Sequence, residues 1–218
     1  MRNNRLLGIV ALICLTVTVI WLGLFIYDMA VRGAVETAEQ AVASVADLGA
    51  LQILTYVNAT LVTVSATMFF GGLYVICRDE APLWAVMGLV FVPIYGVLNL
   101  FAYVSQLTIV PRLAALQPAS DLLLAQMVQA WPGSVVNILN NLGYAVLGIP
   151  SIVFGWLLSR RPRLRWAGVL LALNGVACVV GLVGIAAGSE LLSLGSIVGG
   201  AIFLVALVPL SVGLLREP

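Results

Sequence analysis

The sequence predicts an all-α membrane bundle of six transmembrane helices, with a short further helix at the outer interface. Three observations predict it. Hydrophobic residues make up 62% of the 218-residue chain and charged residues only 9%, far from the balance of a soluble domain. Six uncharged apolar runs, at 6–27, 51–77, 83–108, 135–158, 166–187 and 191–215, each supply the about 20 residues that cross roughly 30 Å of hydrocarbon. The arginines also alternate with the spans. Arg2, Arg5, Arg78, Arg160, Arg161, Arg163, Arg165 and Arg216 fall on one side, and only Arg32 and Arg112 on the other. By the positive-inside rule that split puts both termini in the cytoplasm, as an even span count requires. The whole chain reads as one domain, without a soluble part.

The first run follows Arg2 and Arg5, as a secretory signal would. Its length exceeds a signal core of about 7–15 residues and no small-x-small cleavage site follows, so it reads as a retained helix. Residues 34–48 read as an Ala-rich helical entry to the second span. Asp28, Arg32 and Glu36 are spaced four apart, which suits modest surface ion pairs. Between the third and fourth spans, Pro118 and Ser120 precede an apolar stretch over 121–131 that Pro132 and Gly133 end. Ser120 suits an N-cap, and Asp121 suits the positive end of the helix dipole. Leu123, Leu124, Met127, Val128 and Trp131 share a face, so this helix is expected to lie at the outer interface; the alternative is a lid over a pocket.

Gly184-x-x-x-Gly188 and Gly195-x-x-x-Gly199 flank a short outer turn. Small residues at that spacing let backbones approach closely, which predicts a tight hairpin of spans five and six; a homo-oligomer seam through the same glycines is the alternative. No internal repeat is evident. Val92-Pro93 and Val208-Pro209 echo each other but sit at different depths.

Composition excludes several kinds of chemistry. The chain has no His and no Lys, and its net charge of +1 gives no case for nucleic acid. Without a mid-span carboxylate, the usual proton- or sodium-coupled transport is disfavoured. Without His, neither a Ser–His pair nor a His-based metal site can form, and no cofactor is expected. Cys14, Cys77 and Cys178 are odd in number and widely spaced, which suits small packing residues rather than disulfides. Arg160, Arg161, Arg163 and Arg165, bracketed by Trp156 and Trp166, read as a topology anchor or as a contact for anionic lipid.

Polar residues inside the spans are the candidate site. Tyr95, Asn99, Tyr103 and Gln106 make one helical stripe, Asn137, Asn140, Asn141 and Tyr144 a second, and Tyr56, Thr60, Thr63 and Thr67 a third. All fall mainly in the outer half of the membrane. Lipid cannot satisfy amides, phenols and hydroxyls, so they should turn inward. Pro93 and Pro150 free the carbonyls of Leu89 and Val146 on two of these helices, and kinks there would open space. Two readings stand: an outward-facing pocket for a small neutral or lipid-like ligand, or polar cross-links that hold the bundle together. The second suits a structural or accessory subunit. Neither reading makes the chain an enzyme.

The stretch Asn99-Leu-Phe-Ala-Tyr103-Val-Ser-Gln106-Leu-Thr-Ile-Val-Pro111, followed by Asn141-Leu-Gly-Tyr144, resembles a family of bacterial six-helix membrane proteins grouped as a domain of unknown function. The resemblance implies the span count and layout over nearly the whole chain, and no activity or substrate. Members of that family often carry a carboxylate just before the Gly-Tyr pair. This chain has Asn140-Asn141-Leu there, which puts an acid–base role in doubt. All-Arg basic usage with Ala, Val, Leu and Gly richness suits a bacterial inner-membrane protein from a GC-rich genome.

Overall fold

The computed structural model describes residues 2–46, 48–116 and 121–216. Among them are nine helices and no strand. They are α1 (Arg2–Arg32), α2 (Ala38–Ser44), α3 (Ala50–Cys77), α4 (Pro82–Ala114), α5 (Asp121–Met127), α6 (Val135–Ser159), α7 (Arg165–Ala186), α8 (Glu190–Ser193) and α9 (Gly195–Arg216). Six helical stretches are long and apolar enough to cross a membrane, each matching one of the predicted spans. Pairs of successive spanning helices pack together, and α9 returns to pack on α1, so α1, α3, α4, α6, α7 and α9 close a ring. The start of α1 and the end of α9 lie together, Gly8 facing Leu215, at what we call the termini end.

Lipid-facing residues such as Val97 and Ile197 (both 69% exposed) are as apolar as the interior, because hydrocarbon imposes no penalty on them. The interior is layered along its length. Toward the termini end, Leu7, Phe69, Phe70, Leu73, Phe154, Leu158, Leu164, Leu207 and Leu214 build a dry core. Phe70 anchors it, with ring centroids 5.4 Å from Phe69, 6.1 Å from Phe203 and 6.3 Å from Phe154. At the far end a second apolar cluster joins Ala41 of α2 and Val45 just after it, Val110 of α4, and Leu124, Ala125 and Val128 of the α5 region. The polar stripes lie between these two clusters.

Several local expectations change. The 34–48 segment does not run into the second span. α1 ends at Arg32 with Gly33 at φ +76°, and α2 starts afresh, Thr37 and Gln40 forming a capping box. Arg32 still pairs with Asp28 one turn back, but Glu36 lies beyond the helix end and takes no part in that pair. The interfacial helix stops at Met127 instead of Trp131, and Ser134 caps α6 by accepting from the Asn137 N–H at 2.9 Å. Ser120 and Pro118 lie outside the described residues. α5 packs on α2 and α4, with Leu124 and Val128 buried; Leu123 is 56% exposed and has left the shared face. The last span is interrupted at Leu194, with α8 capped separately by Ser189.

The glycines are used within the chain. A Cβ on Gly195 would lie 2.5 Å from the Ala177 carbonyl oxygen and 2.6 Å from the Gly181 nitrogen; one on Gly199 would lie 2.5 Å from Cys178 Sγ. Gly184 faces Ser193 and Leu192 just as closely. Gly188 instead sits exposed in the turn at φ +65°, a left-handed position that favours glycine. A homo-oligomer seam through Gly184, Gly195 and Gly199 would have to open these contacts of α7 with α8 and α9. A second close approach, not anticipated, joins α6 to α7 through Gly148, Gly155, Gly168 and Gly175. Beside it Asn174 donates to Ser151 at 2.9 Å, and the buried Cys178 thiol lies 3.4 Å from Asn174 Oδ1.

Candidate functional site

The stripes on α3, α4 and α6 do converge, but their members do different work. Gln106 is fully engaged: Nε2 donates to the Met127 carbonyl at 2.9 Å, and Oε1 accepts from the Gln129 N–H at 3.1 Å. Asn137 donates to the Gln129 carbonyl at 2.9 Å, and Asn141 reaches back to Asn137 Oδ1 at 2.9 Å. These three amides tie the α5–α6 connection to the bundle. On α3, Thr60 gives its proton to the Tyr56 carbonyl, and Thr63 and Thr67 do likewise one turn back, so this hydroxyl stripe is spent within its own helix. Tyr56 is half-buried near the Asp28–Arg32 pair.

The remaining groups form the site proper. Tyr103 and Tyr144 share one proton-bridged contact, hydroxyl to hydroxyl at 2.5 Å across α4 and α6. Tyr95 lies wholly buried beneath them, its ring 6.4 Å from that of Tyr144. The amides of Asn99 and Asn140 lie beside the Tyr103 hydroxyl. Yet neither terminal atom of Asn99 has a hydrogen-bond partner, although the residue is 0% exposed. The Oδ1 atoms of Asn140 and of Asn58 are also buried and unpartnered.

Asn58 is the member that the sequence stripes missed. It sits beside the Thr60–Thr63 stripe rather than on it; as the only amide in the interior of the second span it was nonetheless visible as a polar intruder. Gly143 explains how Asn99 fits. The side chain occupies the place a Cβ at Gly143 would take, so α4 and α6 approach closely at this depth.

Most buried polar groups in folded proteins find a partner, and one left without costs about 1–3 kcal/mol. Four such atoms lie on three neighbouring helices, all amide, with the Tyr103 hydroxyl within interacting range of those of Asn99 and Asn140. Two cavities of about 500 and 470 Å³ lie elsewhere, one at the termini end and the other an apolar recess between α1, α7 and α9. Chemically, carboxamides and phenols can hold and orient neutral hydrogen-bonding groups. No ionised side chain lies among them. No three His, Cys, Asp or Glu side chains gather anywhere among the described residues.

The arginine cluster also divides. Arg160 stacks over Trp156, its guanidinium carbon 3.6 Å from the ring centroid, and Trp156 meets Trp84 edge-on. Arg161 donates to the Ile76 carbonyl at 2.7 Å and to Glu80 at 2.8 Å, clasping the α3–α4 turn to the α6–α7 turn. Arg163 and Arg165 are exposed.

Gln106→Leu should leave the Met127 carbonyl and the Gln129 N–H without their α4 partner. Limited proteolysis is expected to cut the 128–134 segment faster in this variant while the spanning helices stay protected.

Comparison with family models, with curated proteins and with solved structures finds no match. The class that fold and site define is a multi-pass helical membrane bundle with a buried amide–phenol layer.

Proposed function

We propose that this chain is a non-enzymatic bacterial inner-membrane protein, both termini cytoplasmic, that holds a small neutral ligand in the outer half of its bundle. Asn58, Asn99 and Asn140 supply the amide contacts, and Tyr95, Tyr103 and Tyr144 line the same layer. One observation carries this reading: Asn99 is completely buried with both terminal atoms unpartnered. Neutrality follows from the surroundings, since a charged ligand would have no countercharge within the layer. The α2–α5 cap covers the layer on the outer side and the phenylalanine cluster lies beneath it, so a ligand entering from outside must displace the cap. Binding alone, sensing and transport all begin with this step.

A second reading, a structural or accessory subunit, is favoured by Gln106, Asn137 and Asn141, whose amides are already committed to holding the fold. Thermal unfolding of the purified protein against a panel of small neutral alcohols, amides and polyols separates the two. Ligand binding predicts a rise in midpoint for at least one solute that Asn140→Leu abolishes; a flat panel favours the subunit. Orientation is tested by impermeant maleimide on intact cells, where Glu36→Cys should label and Arg165→Cys should not. The native cysteines are buried, so background is low.

A further inference from the structure

At the termini end, a cavity of about 500 Å³ is lined by Asn4, Ile76, Glu80, Arg161, Pro162 and Arg163. It opens between the start of α1, the end of α3 and the α6–α7 turn, apart from the amide–phenol layer. Its charges do not cancel. Glu80 is committed to Arg161 at 2.8 Å, whereas Arg163 makes no ion pair among the described residues, leaving the lining with a net positive charge. Arg161 is also incompletely used. One terminal nitrogen serves both Ile76 and Glu80, while its Nε is buried without a partner.

We infer that this cavity binds a phosphate group, with Arg163 as the principal charge partner and the guanidinium of Arg161, held in place by Ile76 and Glu80, beside it. Two guanidinium groups on one short turn suit an acceptor with several oxygens, and arginine's fork matches phosphate geometry. Glu80 neutralises Arg161 without occupying Arg163, so the site retains attraction for an anion while staying rigid. The cavity is roomier than an isolated carboxylate needs, and it lies where a membrane-spanning bundle meets the headgroup region. A phosphate there belongs either to an anionic lipid headgroup or to a free solute.

The test uses the full chain in phosphatidylcholine nanodiscs and reads the thermal midpoint. Two titrations are made, with phosphatidylglycerol in the disc and with inorganic phosphate in the buffer. The wild type and Arg165→Gln should be stabilised by at least one source, and Arg163→Gln should bind it about tenfold more weakly. A shift with the lipid alone identifies a headgroup, and a shift with inorganic phosphate identifies a free solute. Equal weakening in Arg163→Gln and Arg165→Gln would mean diffuse surface charge and overturn the site. So would the absence of any shift with either source.

Discussion

Gly155→Leu is expected to be the most damaging single substitution in the bundle, costing at least about 3 kcal/mol, the upper end of ordinary overpacking. A Cβ at this position would lie 2.5 Å from the Ala172 nitrogen and 2.6 Å from the Gly168 carbonyl oxygen. Both are backbone atoms of α7, so no rotamer change relieves the clash and the two helices must separate. Without a hydrophobic drive between helices in lipid, close backbone packing is much of what holds α6 to α7, and separation forfeits it along the seam. Gly200→Leu is the matched control. Nothing lies within 4 Å of a Cβ there, so stability should change by no more than about 0.5 kcal/mol. Size-exclusion recovery and thermal midpoint in detergent read both. Equal behaviour of the two variants would mean that α6 and α7 do not meet through these glycines.

Asn99→Val should have the second largest effect, and its sign is informative. In the protein without ligand, the asparagine leaves a buried donor and acceptor unmet, at about 1–3 kcal/mol for such a group. Valine has no such groups, is small enough for the notch at Gly143, and should hold or raise the unliganded midpoint. It should also abolish the stabilisation a bound solute gives the wild type, which grows with the logarithm of ligand concentration over its dissociation constant. If Asn99 instead cross-links helices, each lost bond costs about 0.6 kcal/mol and the midpoint falls whether or not solute is present. The two readings thus predict opposite directions in the absence of ligand.

The spans were legible because hydrocarbon thickness and the absence of internal charge leave little choice for runs such as 83–108 and 135–158. What a span packs against was harder to read. In a soluble helix the buried face is the apolar one, but here Val97 faces outward and Val92 inward with equal ease. Polarity and size carry the information instead. The amides and tyrosines of α4 and α6 therefore pointed inward as expected, and the convergence of Asn99, Tyr103, Asn140 and Tyr144 follows from their spacing.

Spacing could not say which amides were already satisfied. Gln106 and Asn137 bond to the backbone of a connection whose path depends on the cap, and Thr60 turns back on its own helix. Asn58 lies with Thr55 and Ser65 on a second polar face of its span, beside the Thr60–Thr67 stripe, and Asn174 has no other amide or hydroxyl on its span. The Gly148–Gly175 and Gly155–Gly168 contacts were hidden for a different reason: each pair of glycines is spaced by seven on its helix, outside the four-residue small-residue motif. The break at Leu194 has no charge or proline to announce it.

The most direct measurement of the central claim is native mass spectrometry of protein extracted gently from the membrane in which it is made. The wild type should carry a reproducible small neutral adduct that Asn99→Val, folded to the same extent, lacks. A wild-type chain of bare polypeptide mass, or one whose adducts persist unchanged in Asn99→Val, would contradict a ligand held by the buried amides.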